Sequence, residues 1–324
     1  MRRLAGRVAT AAATLLLVVT LAFGVLELLP GDAASLAEDP TIGAAERARL
    51  RTAFGLDQPP ARRFATFVAH ALRGDLGVSI SRHRPVRSVL AHAFAPTVEL
   101  AGTAMLVALL LGWLIGTRAA ARPGGLAERA VRIVLPALDA VPPFWLGMVC
   151  ILLFAWKLGW LPAGHARSAV PPDGALAAVL DRLRHLVLPA AVIALPGTAP
   201  VARHQWSAMR RELQRPWVRA ARANGVPEGR IVWRRGARAA LLPLITLVGL
   251  GLPSLVGGAV VVEVVFAWPG LGRVHQSALL ARDVPLVLGG LLAVAGAVVA
   301  GRLGTDLLSA WADPRLRGPR GPER

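Results

Sequence analysis

Cysteine is almost missing from this 324-residue chain: there is one, Cys150, set inside an apolar run. A single thiol cannot close an internal disulfide, and no cysteine spacing of the metal-binding kind exists. Lysine is as scarce. Lys157 is the only one, and Leu158 and Gly159 follow it. A glycine-rich nucleotide-binding loop must end in Lys-Ser or Lys-Thr, so this chain carries none. Neither H-E-x-x-H nor G-x-S-x-G occurs, which removes the parts for intramembrane hydrolysis. The seven histidines are scattered without an i, i+4 pair, so no metal site and no catalytic residues are expected. Charge is also thin, at 17% of residues, where a soluble domain carries about 25%.

What fills the space is apolar. Hydrophobic residues make up 55% of the chain, and the mean hydropathy is +0.54. They fall in long runs rather than in alternation, the pattern of an all-α integral membrane protein. Six runs are long enough to cross a bilayer core of about 30 Å. They lie near Val8–Leu29, Val98–Thr117, Ile133–Ala155, Leu186–Met209, Ala240–Val265 and Val284–Leu307. Backbone groups in lipid must be satisfied within the segment, so helices are expected, and Pro136, Pro142, Pro143 and Pro196 are tolerable within a bundle. The first run, preceded by Arg2, Arg3 and Arg7, exceeds the 7–15 residues of a signal-peptide core and is read as a retained helix.

The net charge of +18 comes from 37 basic and 19 acidic residues. The basic residues flank the apolar runs and do not interleave with exposed aromatics, so they speak for membrane topology and against nucleic acid. Among the short loops, arginine crowds the side that holds the N-terminus, which favours both termini in the cytoplasm. The domains then read as an N-terminal helix over 1–30, an extracytoplasmic helical segment over 31–96, a five-helix core over 97–310 with a basic loop at 211–238, and a cytoplasmic tail over 311–324. Within 31–96, "TIGAAERARLRTAFGLD" is amphipathic through Ile42, Leu50, Phe54 and Leu56. "DQPPARRFATFVAHALRGDLG" predicts a second helix, begun at the proline pair and stopped by Gly74.

Acidic residues inside or beside apolar runs are Glu27, Glu99, Asp139, Glu263 and Asp306. Glu27, Glu99 and Asp306 sit near run ends, where pairing with arginine is the expectation. Asp139 and Glu263 are the candidates for a pathway or gate, since an intramembrane acid points to function by default.

The most informative stretch is the loop itself. In "WVRAARANGVPEGRIVWRRGARAALLPLI", Trp217, Ala220, Ala221 and Asn224 stand at i, i+3, i+4 and i+7, one face of a short helix that is small in its middle. Arg219 and Arg222 flank it. Gly225 suits the left-handed residue just beyond a helix end, and Pro227 suits the opening of the next. The segment predicts a helix–turn–helix with a docking face, formed by Trp217, Arg219, Ala220, Ala221, Asn224 and Gly225.

"RAARANG", followed eighteen residues beyond Gly225 by Pro243, resembles the EAA-type loop of ABC importer permeases of the dipeptide/oligopeptide/nickel family. "LELLPGDAAS", "FGLDQP", "LRGDLGVSI", "PTVELA", "PPFWLGMVCILLFAWKLGWLPAGH", "VVVEVVFAWPGLGRV" and "ADPRLR" resemble that family in the same order. Arg219 stands where the general pattern has glutamate, and Pro227 where a polar residue often starts the second helix. The resemblance implies a type I ABC importer permease-like bundle of six transmembrane helices in the inner membrane, with a cytoplasmic coupling helix. It also implies the partners: a second permease subunit, two ATP-binding subunits that hold the ATP, an extracytoplasmic substrate-binding protein and membrane lipid. No cofactor of its own is implied. Peptide, nickel chelate, opine and sugar importers share this pattern, so the substrate stays open. The residues alone leave two rivals: an ion-coupled secondary transporter using Asp139 and Glu263, although no matched inverted repeat is visible, and a non-transporting membrane scaffold whose basic loop binds anionic lipid.

Overall fold

The computed structural model describes residues 2–28, 57–170, 172–239 and 259–312. Among the described residues the chain is helical, and its only strand-like feature is an isolated bridge between Val78 and Pro85. We number the helices α1 (Arg2–Leu28), α2 (Pro60–Ala71), α3 (Val86–Ala121), α4 (Leu126–Asp139), α5 (Pro143–Lys157), α6 (Ala175–Leu213), α7 (Pro216–Ala223), α8 (Arg230–Gly236, continued by Ala237–Ala239), α9 (Leu271–Leu280) and α10 (Val284–Ala312). Residues 259–265 are also helical.

Among the described residues three helices are long and apolar enough to cross a membrane: α3, α6 and the Val284–Gly301 part of α10. The expected second and fourth spans lie within α3 and α6, and the sixth within the whole of α10. The first expected span falls in α1, whose apolar part is Ala12–Leu28. The fifth lies outside the described residues except for 259–265, and the amphipathic stretch around Ile42, Leu50, Phe54 and Leu56 lies wholly outside them apart from its last residue.

The third expected span needs correction. Ile133–Ala155 does not run straight: α4 and α5 meet at an angle of 99° across residues 140–142. Pro142 is held extended by the proline that follows it, and Pro143 opens the next helix without needing a backbone donor. Two adjacent prolines therefore break the helix rather than being absorbed in it. Backbone pairing also widens to the π form at Ala130–Val134 and at Ile151–Lys157, the second of which is followed two residues on by Gly159 in the left-handed region.

The chain divides into two compact units. The first comprises residues 1–97 and 269–299. In it α1 packs through Val19 and Phe23 against Leu288, with Phe64 and Phe67 of α2 alongside. The α2 helix starts at the proline pair, as expected, and Gly74 at φ +78° lies just beyond its end. Glu27 pairs with Arg63 at 3.1 Å. Asp283, fully buried before α10, accepts Ser79 Oγ at 2.5 Å, Ser81 Oγ at 2.7 Å and the Ser81 and Leu286 amides. One carboxylate thus caps α10 and fastens the 79–81 turn to it.

The second unit comprises residues 98–268 and 300–324. Its core gathers Leu100 and Ala104 of α3, Leu146 of α5, Val192 and Ala194 of α6, and Val262, Phe266 and Trp268. The α3–α6 contact is close because Gly112 and Gly116 leave room. A Cβ on Gly112 would sit 2.5 Å from Val201 Cγ1, and one on Gly116 would sit 2.6 Å from the Ala202 carbonyl oxygen. This is the small-x-x-x-small device by which apolar helices approach in a membrane.

Candidate functional site

The basic loop follows directly from α6. Gln214 ends that helix, Arg215 is extended, and Pro216 starts α7 at its first position, where the missing N–H costs nothing. Trp217 Nε1 donates to Glu212 Oε1 at 2.9 Å, and Arg215 pairs with the same carboxylate at 3.0 Å, which ties the turn back to α6.

The inner face of α7 is Val218 and Ala221. They are buried against Ile231, with Leu213, Trp217 and Val226 around them. The helix then stops in a Schellman motif: the Gly225 amide donates to the Arg222 carbonyl and the Val226 amide to the Ala221 carbonyl, each at 3.0 Å. Gly225 takes φ +72°, as its position after the helix predicts. Val226 packs on Ala221, the apolar contact that accompanies this motif. Across the turn Arg222 Nε reaches Glu228 Oε2 at 3.2 Å, and the guanidinium holds the Glu228 carboxyl below its ordinary pKa. The Pro227 carbonyl accepts from Arg230 and Ile231 as the second helix opens.

α8 is anchored, not free. Val232 packs with Met209 of α6 and Ala120 of α3. Gly236 has no side chain because Met209 Cε would lie 2.6 Å from its Cβ. Trp233 stacks edge-on against Trp113 at 5.5 Å and lies under the Arg118 guanidinium at 5.6 Å. Gln205 and Thr117 join by a buried 3.0 Å bond. The loop is therefore a short stiff arm fixed to the ends of two membrane helices.

The structure sorts the six expected docking residues. Arg219, Ala220, Asn224 and Gly225 are exposed, and Asn224 Nδ2 donates back to the Ala220 carbonyl at 2.9 Å. Trp217 is half-buried. Ala221 faces the loop's own core. The inward direction is set by Val218 and Ala221, a pair three apart, so the outward face is centred on Ala220, Ala223 and Asn224.

Asp139 stands 3.7 Å from Arg203, both about half exposed. Glu263 is fully buried beside Val262 and Phe266. Glu99 pairs with Arg182, whose Nε donates at 2.9 Å; the same guanidinium lies over Trp268 at 4.6 Å and donates to the Ala166 carbonyl. The backbone around Gly164 is fastened to the same region: His165 N donates to the Phe266 carbonyl at 2.7 Å, and a Cβ on Gly164 would meet that oxygen at 2.5 Å. Asp306 lies outside the described side chains. Among the described residues no three His, Cys, Asp or Glu side chains converge as metal ligands. In the first unit a cavity of about 570 Å³ lies among Arg82, His92, Arg273 and the apolar Val89, Ala93 and Val274.

Sequence reasoning missed two supports of this site. Gly112 and Gly116 were detectable from their spacing of four, and the Arg182–Trp268 stack was not, because its members are 86 positions apart.

Comparison with known proteins places the chain as a whole. Residues 108–318 match the family described as binding-protein-dependent transport system inner membrane component. An oligopeptide transport system permease protein of Bacillus subtilis is 34% identical over 93% of this chain and 95% of its own. A glutathione transport system permease protein of Salmonella choleraesuis is 35% identical over 94% and 95%. A probable D,D-dipeptide transport system permease protein of Escherichia coli is 37% identical over 92% of each. Together with the membrane-length helices, these matches show that the chain belongs to the family of inner-membrane permease components of binding-protein-dependent ABC importers, a family of transporters and not of enzymes.

Proposed function

We propose that this permease subunit moves peptides or similar small solutes into the cytoplasm, and that its 211–238 loop receives the force of ATP hydrolysis from partner subunits. The observation that carries the reading is the loop's build. An outward face of small and polar residues, Ala220, Ala223 and Asn224, is held by a buried inner face and a second helix locked onto α6 and α3. A push on α7 is passed to two membrane helices rather than lost in a slack loop. The chain has no nucleotide-binding loop, so the force has to come from other chains.

The assembly in this reading is two permease subunits, two ATP-binding subunits and an extracytoplasmic binding protein, with both termini of this chain in the cytoplasm. The solute class rests on the relatives, which are named for oligopeptides, glutathione and D,D-dipeptides. Asp139, paired with Arg203, and the buried Glu263 stand as pathway or gate candidates. Alternation between two states requires contacts that differ between them. In a Cys150→Ser background, Ala220→Cys and Ala223→Cys are expected to cross-link to a nucleotide-hydrolysing subunit in intact membranes. Capture of no such subunit from either position would overturn the reading.

A further inference from the structure

We propose that the end of α3 and the start of α4 form a binding site for the phosphate of an anionic phospholipid headgroup, with Arg118 and Arg122 as its ligands. Residues 100–117 carry no charge, so these arginines are the first cations beyond an uncharged stretch of membrane-crossing helix. That position is the bilayer interface, where arginine reaches headgroups while its stem stays in apolar surroundings. One turn apart, they face the same side of the chain. A cavity of about 570 Å³ opens there, lined by both arginines, Ala121, Gly125, Leu126 and Trp233. Its size suits a small amphiphile.

The charge in this cavity is unbalanced. Among the described residues neither Arg118 nor Arg122 makes an ion pair. Arg118 is held only by the face of Trp233, at 5.6 Å. Glu128, the carboxylate nearest in sequence, is engaged elsewhere: it accepts the Gly124 amide at 2.6 Å and faces Arg132 at 3.7 Å. Gly124 at φ +77° turns the chain so that α4 returns beside the end of α3. Leu126, 82% exposed, then presents an apolar edge where an acyl chain would leave the pocket. Two arginines, an aromatic wall and an exposed leucine at the membrane edge match a headgroup with its tail, a chemistry that basic pockets beside membrane helices recognise.

The test uses the assembled transporter in nanodiscs of phosphatidylcholine and phosphatidylglycerol, stripped in detergent, with retained lipid measured by mass spectrometry. Arg122 is exposed and its fold-holding bonds are backbone ones, to the Arg118 carbonyl and from the Gly125 amide, so R122Q is expected to keep the fold. Retained phosphatidylglycerol is expected to fall about fivefold for each arginine removed in R122Q and R118Q/R122Q, from roughly one unit of headgroup attraction per arginine. R118K/R122K and the neighbouring control R129Q are expected to keep it, and millimolar inorganic phosphate is expected to leave it in place. Wild-type retention in R122Q and R118Q/R122Q overturns the proposal. Displacement by inorganic phosphate overturns it in favour of a free anion. Loss of an ATP-binding subunit from R122Q at unchanged lipid content overturns it in favour of protein docking. If R118Q/R122Q does not fold, R122Q decides alone.

Discussion

At the scale of single residues, the site rests on glycines whose reasons differ. Gly225 is required by its backbone angle, since no atom lies within 4 Å of its would-be Cβ. Gly225→Ala is expected to cost about 1 kcal/mol through strain alone. Hydrogen exchange at the Val226 amide, whose bond closes the motif, should quicken while the rest of the chain is unchanged. Gly112 is required by its neighbour instead. Gly112→Leu forces a side chain into Val201 and is expected to cost roughly 1–3 kcal/mol, read as a lower Tm of the purified chain. Asp283 is a third kind of case. Asp283→Ala strands the buried Ser79 hydroxyl and the Leu286 amide, each worth about 1 kcal/mol or more when left unmade, and releases the exposed Ser81 to water, so it should destabilise the first unit most. The sequence made Gly225 legible because its reason is local. Gly112 and Asp283 owe their roles to partners 89 and 204 positions away, which local pattern cannot show.

At the scale of elements, the short helix α7 was foreseen from Trp217 to its stop at Gly225, but its start at Pro216 and its orientation were not. Spacing groups Trp217, Ala220, Ala221 and Asn224 together; packing splits them, because Val218 competes for the interior and takes Ala221 with it. The two alanines therefore make opposite predictions. Ala220→Trp leaves the inner face intact and blocks close approach from outside. It should keep the wild-type Tm and lose solute uptake while partner ATP hydrolysis loses its dependence on solute. Ala221→Trp overfills the space beside Ile231 and should lower the Tm first. If Ala220→Trp retains full uptake, the outward face is not the coupling surface. The α4–α5 bend was illegible for a related reason. A proline pair in an apolar run is consistent with a tolerated kink or a full break, and only the 99° angle decides for the break.

At the scale of the whole molecule, the sequence made the class plain and left the energy source outside the chain. Long uncharged runs dictate helices, and the three long helices with the bent pair follow from them. The single lysine in the wrong context excludes a nucleotide loop, and in the proposed reading the arm at 211–238, packed on α6 and α3, is where work is received. An ion-coupled carrier with the same acids would draw instead on a proton gradient, so the two energy sources separate cleanly. Uptake by the assembly reconstituted in sealed vesicles is expected to require nucleotide hydrolysis and to persist when a protonophore collapses the pH gradient. The lone cysteine gives the matching topological test. In Cys150→Ser, a cysteine placed at exposed Arg219 should react with a membrane-impermeant maleimide only after the cytoplasmic face is opened, whereas one placed at exposed Ala61 of α2 should react from outside. Reaction of both from the same face would invert the arrangement, because a motor on the inner side could then no longer reach α7.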